Sequence, residues 1–183
     1  MRAIAVVGSS NIDMVTYTSQ IPDSGETVIG KSFSTNFGGK GANQAAMASR
    51  FNATVYMVTG VGSDIFGDQI IENMKLADIN TEHLHKFSES TGVAPIWVDE
   101  TGANRIIVVP GASNLLQAKD AVTAIQTIKD LGVVVGQLEI LEEVTLAAFK
   151  AAKKLGLITI LNPAPAKELS KELLENTDWL IPN

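Results

Sequence analysis

The sequence contains no cysteine, which removes thiolate catalysis, iron–sulfur clusters, thiolate zinc sites and a disulfide framework in one step. It has only two histidines. His83 and His85 alternate along one strand-like stretch with no third ligand at metal-motif spacing, so they read as ordinary strand residues. Positive charge is also scarce: 14 Lys and Arg against 20 Asp and Glu leave a formal net charge of -6, which excludes a bulk electrostatic grip on nucleic acid. Long apolar runs are missing too. The longest, such as 3–7 and 157–161, are far short of a bilayer-spanning helix, so no membrane is expected as a partner. Met1 and Arg2 followed by apolar residues resemble the start of a leader peptide, but Gly8-Ser9-Ser10 ends the run too early. It reads as a buried first strand of a cytoplasmic protein.

What remains is a chain of 183 residues with 45% hydrophobic content, enough to bury one large core. Short, largely β-branched runs at 3–7, 54–59, 133–136 and 157–161 each end at Gly, Asn or Pro and predict fully buried parallel strands. Between them, apolar residues at three-to-four spacing predict helices over 42–51, 66–77, 117–128 and 142–155. Strand and helix in alternation predict an α/β domain with a mostly parallel central sheet.

Two stretches break this rhythm. Residues 14–37 and 83–109 are strand-rich and lack an intervening helix, the second containing runs at 93–98 and 105–109 joined by Asp99-Glu100-Thr101-Gly102. Such insertions are expected beside the crevice at the carboxyl ends of the strands, as a small β-lid. Residues 178–181 read as one more buried strand, yet with no helix to cover it, the pattern of a domain truncated on its C-terminal side.

Several motifs fall at that crevice. Gly38-Gly39-Lys40-Gly41-Ala42-Asn43-Gln44 joins a strand to a helix, where glycines let backbone amides approach a polar ligand. Gly41 after Lys40 excludes a Walker A loop. The plainer alternative is a tight turn with a solvated lysine. Asn11 and Asp13 follow the first strand, and Glu139 follows the strand ending near Gln137. A carboxylate in such a position suits polyol hydroxyls, although a turn cap or a helix-start charge would account for it equally. Gly60-Val61-Gly62 with Ile65 in place of a third glycine is an incomplete dinucleotide fingerprint, better read as turn residues with Asp64 capping a helix.

Gly8-Ser9-Ser10-Asn11-Ile12-Asp13, Pro22-Asp23-Ser24-Gly25-Glu26-Thr27, the Phe37 to Ala45 string, Gln137-Leu138-Glu139, Asn162-Pro163-Ala164-Pro165-Ala166 and Pro182-Asn183 together resemble the ribokinase family of carbohydrate kinases, in order over the whole chain. The resemblance implies that residues 1–183 form the amino-terminal part of a ribokinase-like domain with its lid in the two insertions. It implies ATP-dependent phosphorylation of D-ribose at the C5 hydroxyl by the parent protein. Sugar hydroxyls would be held at positions matching Asn11, Asp13, Gly39, Lys40, Gly41, Asn43 and Glu139, with Ala94 and Val108 as apolar cover and Asn183 in the nucleotide site. Mg²⁺ would accompany ATP, K⁺ would be an activator, and a homodimer would form through the lid. The family's Gly-Ala-Gly-Asp motif, with its catalytic aspartate, is absent from these residues, so no catalytic residue is assigned within them and the piece alone is expected to be inactive. Three other readings stand beside this one: a kinase for another sugar or nucleoside, a non-catalytic sugar-binding module, and a dehydrogenase built on Gly60-Val61-Gly62.

Overall fold

The apolar run Ala3–Val7 (β1) is the middle of a seven-stranded sheet in a computed structural model that describes residues 2–183. Met1, the first residue of the apolar start weighed against a leader peptide, lies outside the described residues. The chain continues through β2 (Asn11–Tyr17), β3 (Ser32–Gly38), α1 (Lys40–Arg50), β4 (Val55–Gly62), α2 (Ile65–Leu76), β5 (Ile79–Asn80) and β6 (Leu84–Phe87). There follow β7 (Gly92–Val98), β8 (Asn104–Ile106), a 3-10 helix (Gly111–Leu115), α3 (Ala118–Thr127), β9 (Leu131–Gly136), α4 (Glu142–Lys154), β10 (Ile158–Leu161), α5 (Lys171–Glu175) and β11 (Trp179–Leu180).

The large sheet has the order β11-β10-β9-β1-β4-β5, with β6 also paired to β4, and every pairing in it is parallel. Its strands are apolar on both sides because helices cover both faces. Alternate residues divide between two cores. Ala5, Val7, Val58, Val134 and Leu161 pack with Ala124, Ile125, Val144, Ala148 and Phe149 of α3 and α4. Val6, Val55, Met57 and Val61 pack with Ala45, Ile70 and Met74 of α1 and α2.

A separate four-stranded sheet has the order β3-β2-β7-β8. Asn11, Gly38 and Gly92 lie at one level in its pairing, so the small sheet leaves the core along a single line.

Five expectations change. The small sheet starts at Asn11, not at residue 14, so Asn11 and Asp13 are the first residues of a strand and not a turn. Residues 84–87 belong to the large sheet: β5 pairs only with Val55 and Tyr56, and Leu84–Phe87 satisfies the backbone of Thr59–Gly62 beyond it. Gly60 and Gly62 are strand residues as well. A Cβ on Gly60 would stand 2.3 Å from the Ala112 carbonyl oxygen and one on Gly62 2.4 Å from the Thr91 nitrogen, so these glycines admit neighbouring backbone and form no dinucleotide loop. The strand expected over 105–109 is interrupted after Ile106: Ile107 N donates to Pro95 O at 3.1 Å, but Pro95 has no N–H to return the bond, and Val93 and Val109 bridge beyond it. The strand expected over 178–181 shortens to β11, whose Trp179 and Leu180 are exposed. The 3-10 helix, β5 and α5 are too short to show a periodicity.

Candidate functional site

From β1 the chain passes through the small sheet and α1 to β4 on one side, while β9 lies on the other. The carboxyl ends of β1 and β9 therefore flank the point where strand order reverses, where open α/β sheets hold their ligands. The amino terminus of α1 arrives at that point. Gly39, its cap, has φ 93, and a Cβ there would meet Asn11 Oδ1 at 2.8 Å and the Ser9 carbonyl oxygen at 2.9 Å. Only glycine meets both demands. Gly41 is similarly confined, its would-be Cβ 2.8 Å from the Ser9 oxygen, and Ala42 N donates to that oxygen at 3.0 Å.

With glycine as its cap, α1 has no local side chain to accept from its first amides. Glu139, just past β9, does so from across the sheet. Its Oε2 accepts from Lys40 N at 2.8 Å and from Ser9 Oγ at 2.5 Å, and its Oε1 faces Lys40 Nζ at 3.3 Å. A carboxylate is favoured at a helix amino terminus, where unpaired N–H groups concentrate positive potential.

Asp13 stands across the crevice. Asn11 Nδ2 donates to its Oδ1 over a long 3.4 Å, and the carboxylate occupies space that any side chain at Gly38 would claim, 2.3 Å from a Cβ there. Burial pushes the Asp13 carboxyl above the ordinary carboxylate range, and the Glu139 charge adds to this. The Asn11 bond and the Lys40 charge oppose it. Two carboxylates thus lie near one ammonium, which pairs with Glu139 and acts on Asp13 only through its charge, with most of the lone pairs on Asp13 directed to no protein donor among the described residues.

Ala94 is the register partner of Asp13 on β7 and is buried. Continuing the β7–β8 register through the Val93–Val109 bridge sets Val108 opposite Ala94, and Val108 is 52% exposed. Asn43 lies in the first turn of α1, its amide bonded to Gly39 O at 2.9 Å, and is exposed. Asn11, Asp13, Gly39, Lys40, Gly41, Asn43, Ala94 and Glu139 therefore gather around one crevice. Asn183 does not join them. It follows β11, two strands beyond β9 or about 10 Å along the sheet, where Asn162 Nδ2 donates to its Oδ1 at 3.0 Å.

Three groups of residues support the site in ways not assigned from the sequence. Ser9 binds Glu139 as described. Ser113 Oγ donates toward the carbonyls of Ser10, at 3.3 Å, and Gly60, at 3.2 Å, tying the 3-10 helix to the exits of β1 and β4. Asp64 does cap α2, accepting from Gly67 N at 2.9 Å, but it also accepts from Thr91 Oγ1 at 2.6 Å and Thr91 N at 2.8 Å, anchoring the start of β7. The visible signals among these were the paired serines just past a buried strand and Asp64 at a helix start.

A cavity of about 460 Å³ lies between α1 and α2 and touches the crevice at Ser10, Gly38 and Asn43. Its interior is lined by Ala46, Met47, Ile70 and Met74 with Arg50 and Asn73 and holds no carboxylate, so it offers a polyol far fewer acceptors than the crevice beside it.

The sequence matches the pfkB family of carbohydrate kinases over residues 1–183. The chain belongs to this family. It is 41% identical over 182 residues to a deoxyribokinase of Salmonella typhi, covering 98% of this chain and 60% of the relative. It is 39% identical over 184 residues to a ribokinase of Bacillus subtilis, covering 100% of this chain and 62% of that one. The structure of Arabidopsis thaliana ribokinase complexed with ribose and ATP superposes with a TM-score of 0.87 at 29% identity, covering 99% of this chain and 60% of that one. The chain spans about three-fifths of the length of these relatives. As a pfkB-family chain it has the architecture expected from the sequence, a ribokinase-like, mostly parallel sheet flanked by helices with a small β-sheet at the side.

Proposed function

We propose that the full-length protein carrying this sequence transfers the γ-phosphoryl group of ATP to the C5 hydroxyl of D-ribose, and that the residues described here supply the sugar side of the site. The observation that carries this reading is the convergence of Asp13, Asn11, Glu139 and the amino terminus of α1 at the reversal of strand order, beside the small sheet. A neutral polyol is selected by polar groups that the wrong substrate would leave unpaired. Asp13 takes hydroxyl protons into hydrogen bonds, Asn11 donates to a hydroxyl oxygen, and Lys40 and Glu139 serve the rest of the ring. Ala94 and Val108 form the apolar side of the pocket, and closure of the small sheet excludes water that would otherwise compete for the phosphoryl group. The nucleotide approaches from the β10–β11 side, where Asn183 sits, so that donor and acceptor meet along the carboxyl ends of the strands.

The groups that take the C5 proton and stabilise the transferring phosphoryl are assigned to chain following residue 183. The described residues include no cluster of three or more His, Asp or Glu suited to a metal ion; Mg²⁺ would enter on the phosphates of ATP. Tyr17, Phe33, Ile106 and Val108 expose apolar surface on the small sheet, which supports a homodimer joined there. Likeness to a deoxyribokinase supports a second reading, in which 2-deoxyribose is the substrate. A coupled ADP-release assay on the full-length protein with ribose, 2-deoxyribose, fructose and a nucleoside decides between them. The proposal expects the highest kcat/KM for ribose. Tenfold preference for 2-deoxyribose would replace it with the second reading, and turnover of none of the panel would overturn both.

A further inference from the structure

We infer that Ser9 is a positioning residue for the sugar site, acting through Glu139. The inference rests on the function proposed above for its effect on sugar, but not for its structural part. Ser9 is 3% exposed and lies where three parts of the molecule meet. Its hydroxyl donates to Glu139 Oε2 at 2.5 Å, joining the exit of β1 to the exit of β9. The same oxygen accepts from Lys40 N at 2.8 Å, the first amide of α1. The Ser9 carbonyl in turn accepts from Ala42 N at 3.0 Å and excludes any side chain at Gly39 and Gly41.

The consequence is a division of labour within one carboxylate. Two donors in fixed directions hold Oε2 against the helix, which fixes the plane of the carboxylate. Oε1 is left facing Lys40 Nζ at 3.3 Å and the crevice, the oxygen available to a ligand. Without the Ser9 hydroxyl, Oε2 keeps only the Lys40 amide, the carboxylate rotates about that single bond, and the first turn of α1 loses the tie to β1 that passes through it. A hydrogen bond to a charged group in a partly buried place contributes enough for its loss to be read as about a tenfold effect.

The experiment compares wild type, Ser9→Ala and Ser9→Cys in the full-length protein. Cysteine is near in size and a weaker donor, so it gives an intermediate effect and a result even where alanine impairs folding. Amide hydrogen exchange over residues 38–44 is measured alongside KM for D-ribose and for ATP. We expect exchange at the start of α1 to rise about tenfold in Ser9→Ala, the ribose KM to rise by a similar factor, kcat to change less than about twofold, and the ATP KM to hold. Unchanged exchange in both variants overturns the inference. So does an equal rise of both KM values, which would mark general loosening. If the wild type phosphorylates no sugar while exchange still rises in the variants, the proposed function falls and the role of Ser9 in holding Glu139 and α1 stands.

Discussion

The floor of the crevice and the small sheet above it are built in opposite ways. At the floor, Ser9, Gly38, Gly39, Gly41 and Gln137 are buried, glycines admit backbone at contact distance, and Glu139 is held by donors from two other elements. In the small sheet, Ser32 to Phe37 are exposed throughout, as are Tyr17 and 104–109, and the ladder lacks the bond that an N–H at Pro95 would donate. The floor is organised before any ligand arrives. The small sheet has strands and register but little to pack against, so its stability depends on what it meets, which under the proposed function is a sugar beneath it or a second copy beside it. Substitutions at the floor should therefore act on affinity directly, and those in the sheet on association.

The largest effect is expected where the floor has no slack. Gly39→Ala adds a Cβ within 2.9 Å of Ser9 and Ser10 backbone at φ 93, displacing the start of α1. Ribose binding by titration calorimetry should weaken about a hundredfold or more. A loss below threefold would mean that the floor is softer than the comparison holds.

Asp13→Asn keeps the shape and removes the charge, and binding should weaken by about 1.5 to 3 kcal/mol. The same variant separates function from stability. Because burial, with Glu139, raises the folded-state pKa of Asp13, the folded state holds its proton more tightly than the unfolded chain does. The contribution of Asp13 to stability is therefore full below the ordinary carboxylate range and is lost as pH rises through the raised value. At neutral pH, Asp13→Asn should melt at or above the wild-type temperature while binding ribose less well. A lowered Tm with unchanged affinity would reverse the assignment.

In the small sheet, Ile106→Ser removes an exposed apolar side chain from β8. Sedimentation equilibrium should show the dimer dissociation constant raised about tenfold, with the Tm of the core little changed. A wild type that stays monomeric at tens of micromolar, on the order of what a modest interface needs, would remove the dimer from the account. The smallest effect is expected for Lys31→Ala at the rim. The Lys31–Glu100 pair is more than half exposed on both sides, and its loss should cost less than about 1 kcal/mol by denaturant unfolding and leave ribose affinity alone.

How much of this could be read from the chain follows from the same contrast. Buried strands and their covering helices were legible because both faces of β1, β4 and β9 demand apolar residues and α4 repeats them at helical spacing. Asp13 and Glu139 were visible as carboxylates after strands. Their partners were less so: nothing local in the sequence tells that Lys40 N and Glu139, 99 residues apart, meet, and a serine after a strand reads as a turn until its acceptor is known. The boundaries of the small sheet were misjudged because Asn11 and Asp13 look like turn residues, and because Leu84–Phe87 has the composition of either sheet. Its place is decided by the unpaired upper half of β4, which no local pattern reports.

The central claim is that the sugar lies between Asp13 and Glu139 at the amino terminus of α1. A crystal structure of the full-length protein with D-ribose tests it most directly. The account predicts ribose hydroxyls within about 3 Å of Asp13, Asn11 and Glu139 Oε1, with Ala94 and Val108 against the ring. Ribose held instead among Met47, Arg50 and Asn73 in the cavity between α1 and α2, with Asp13 contacting none of it, would contradict the account.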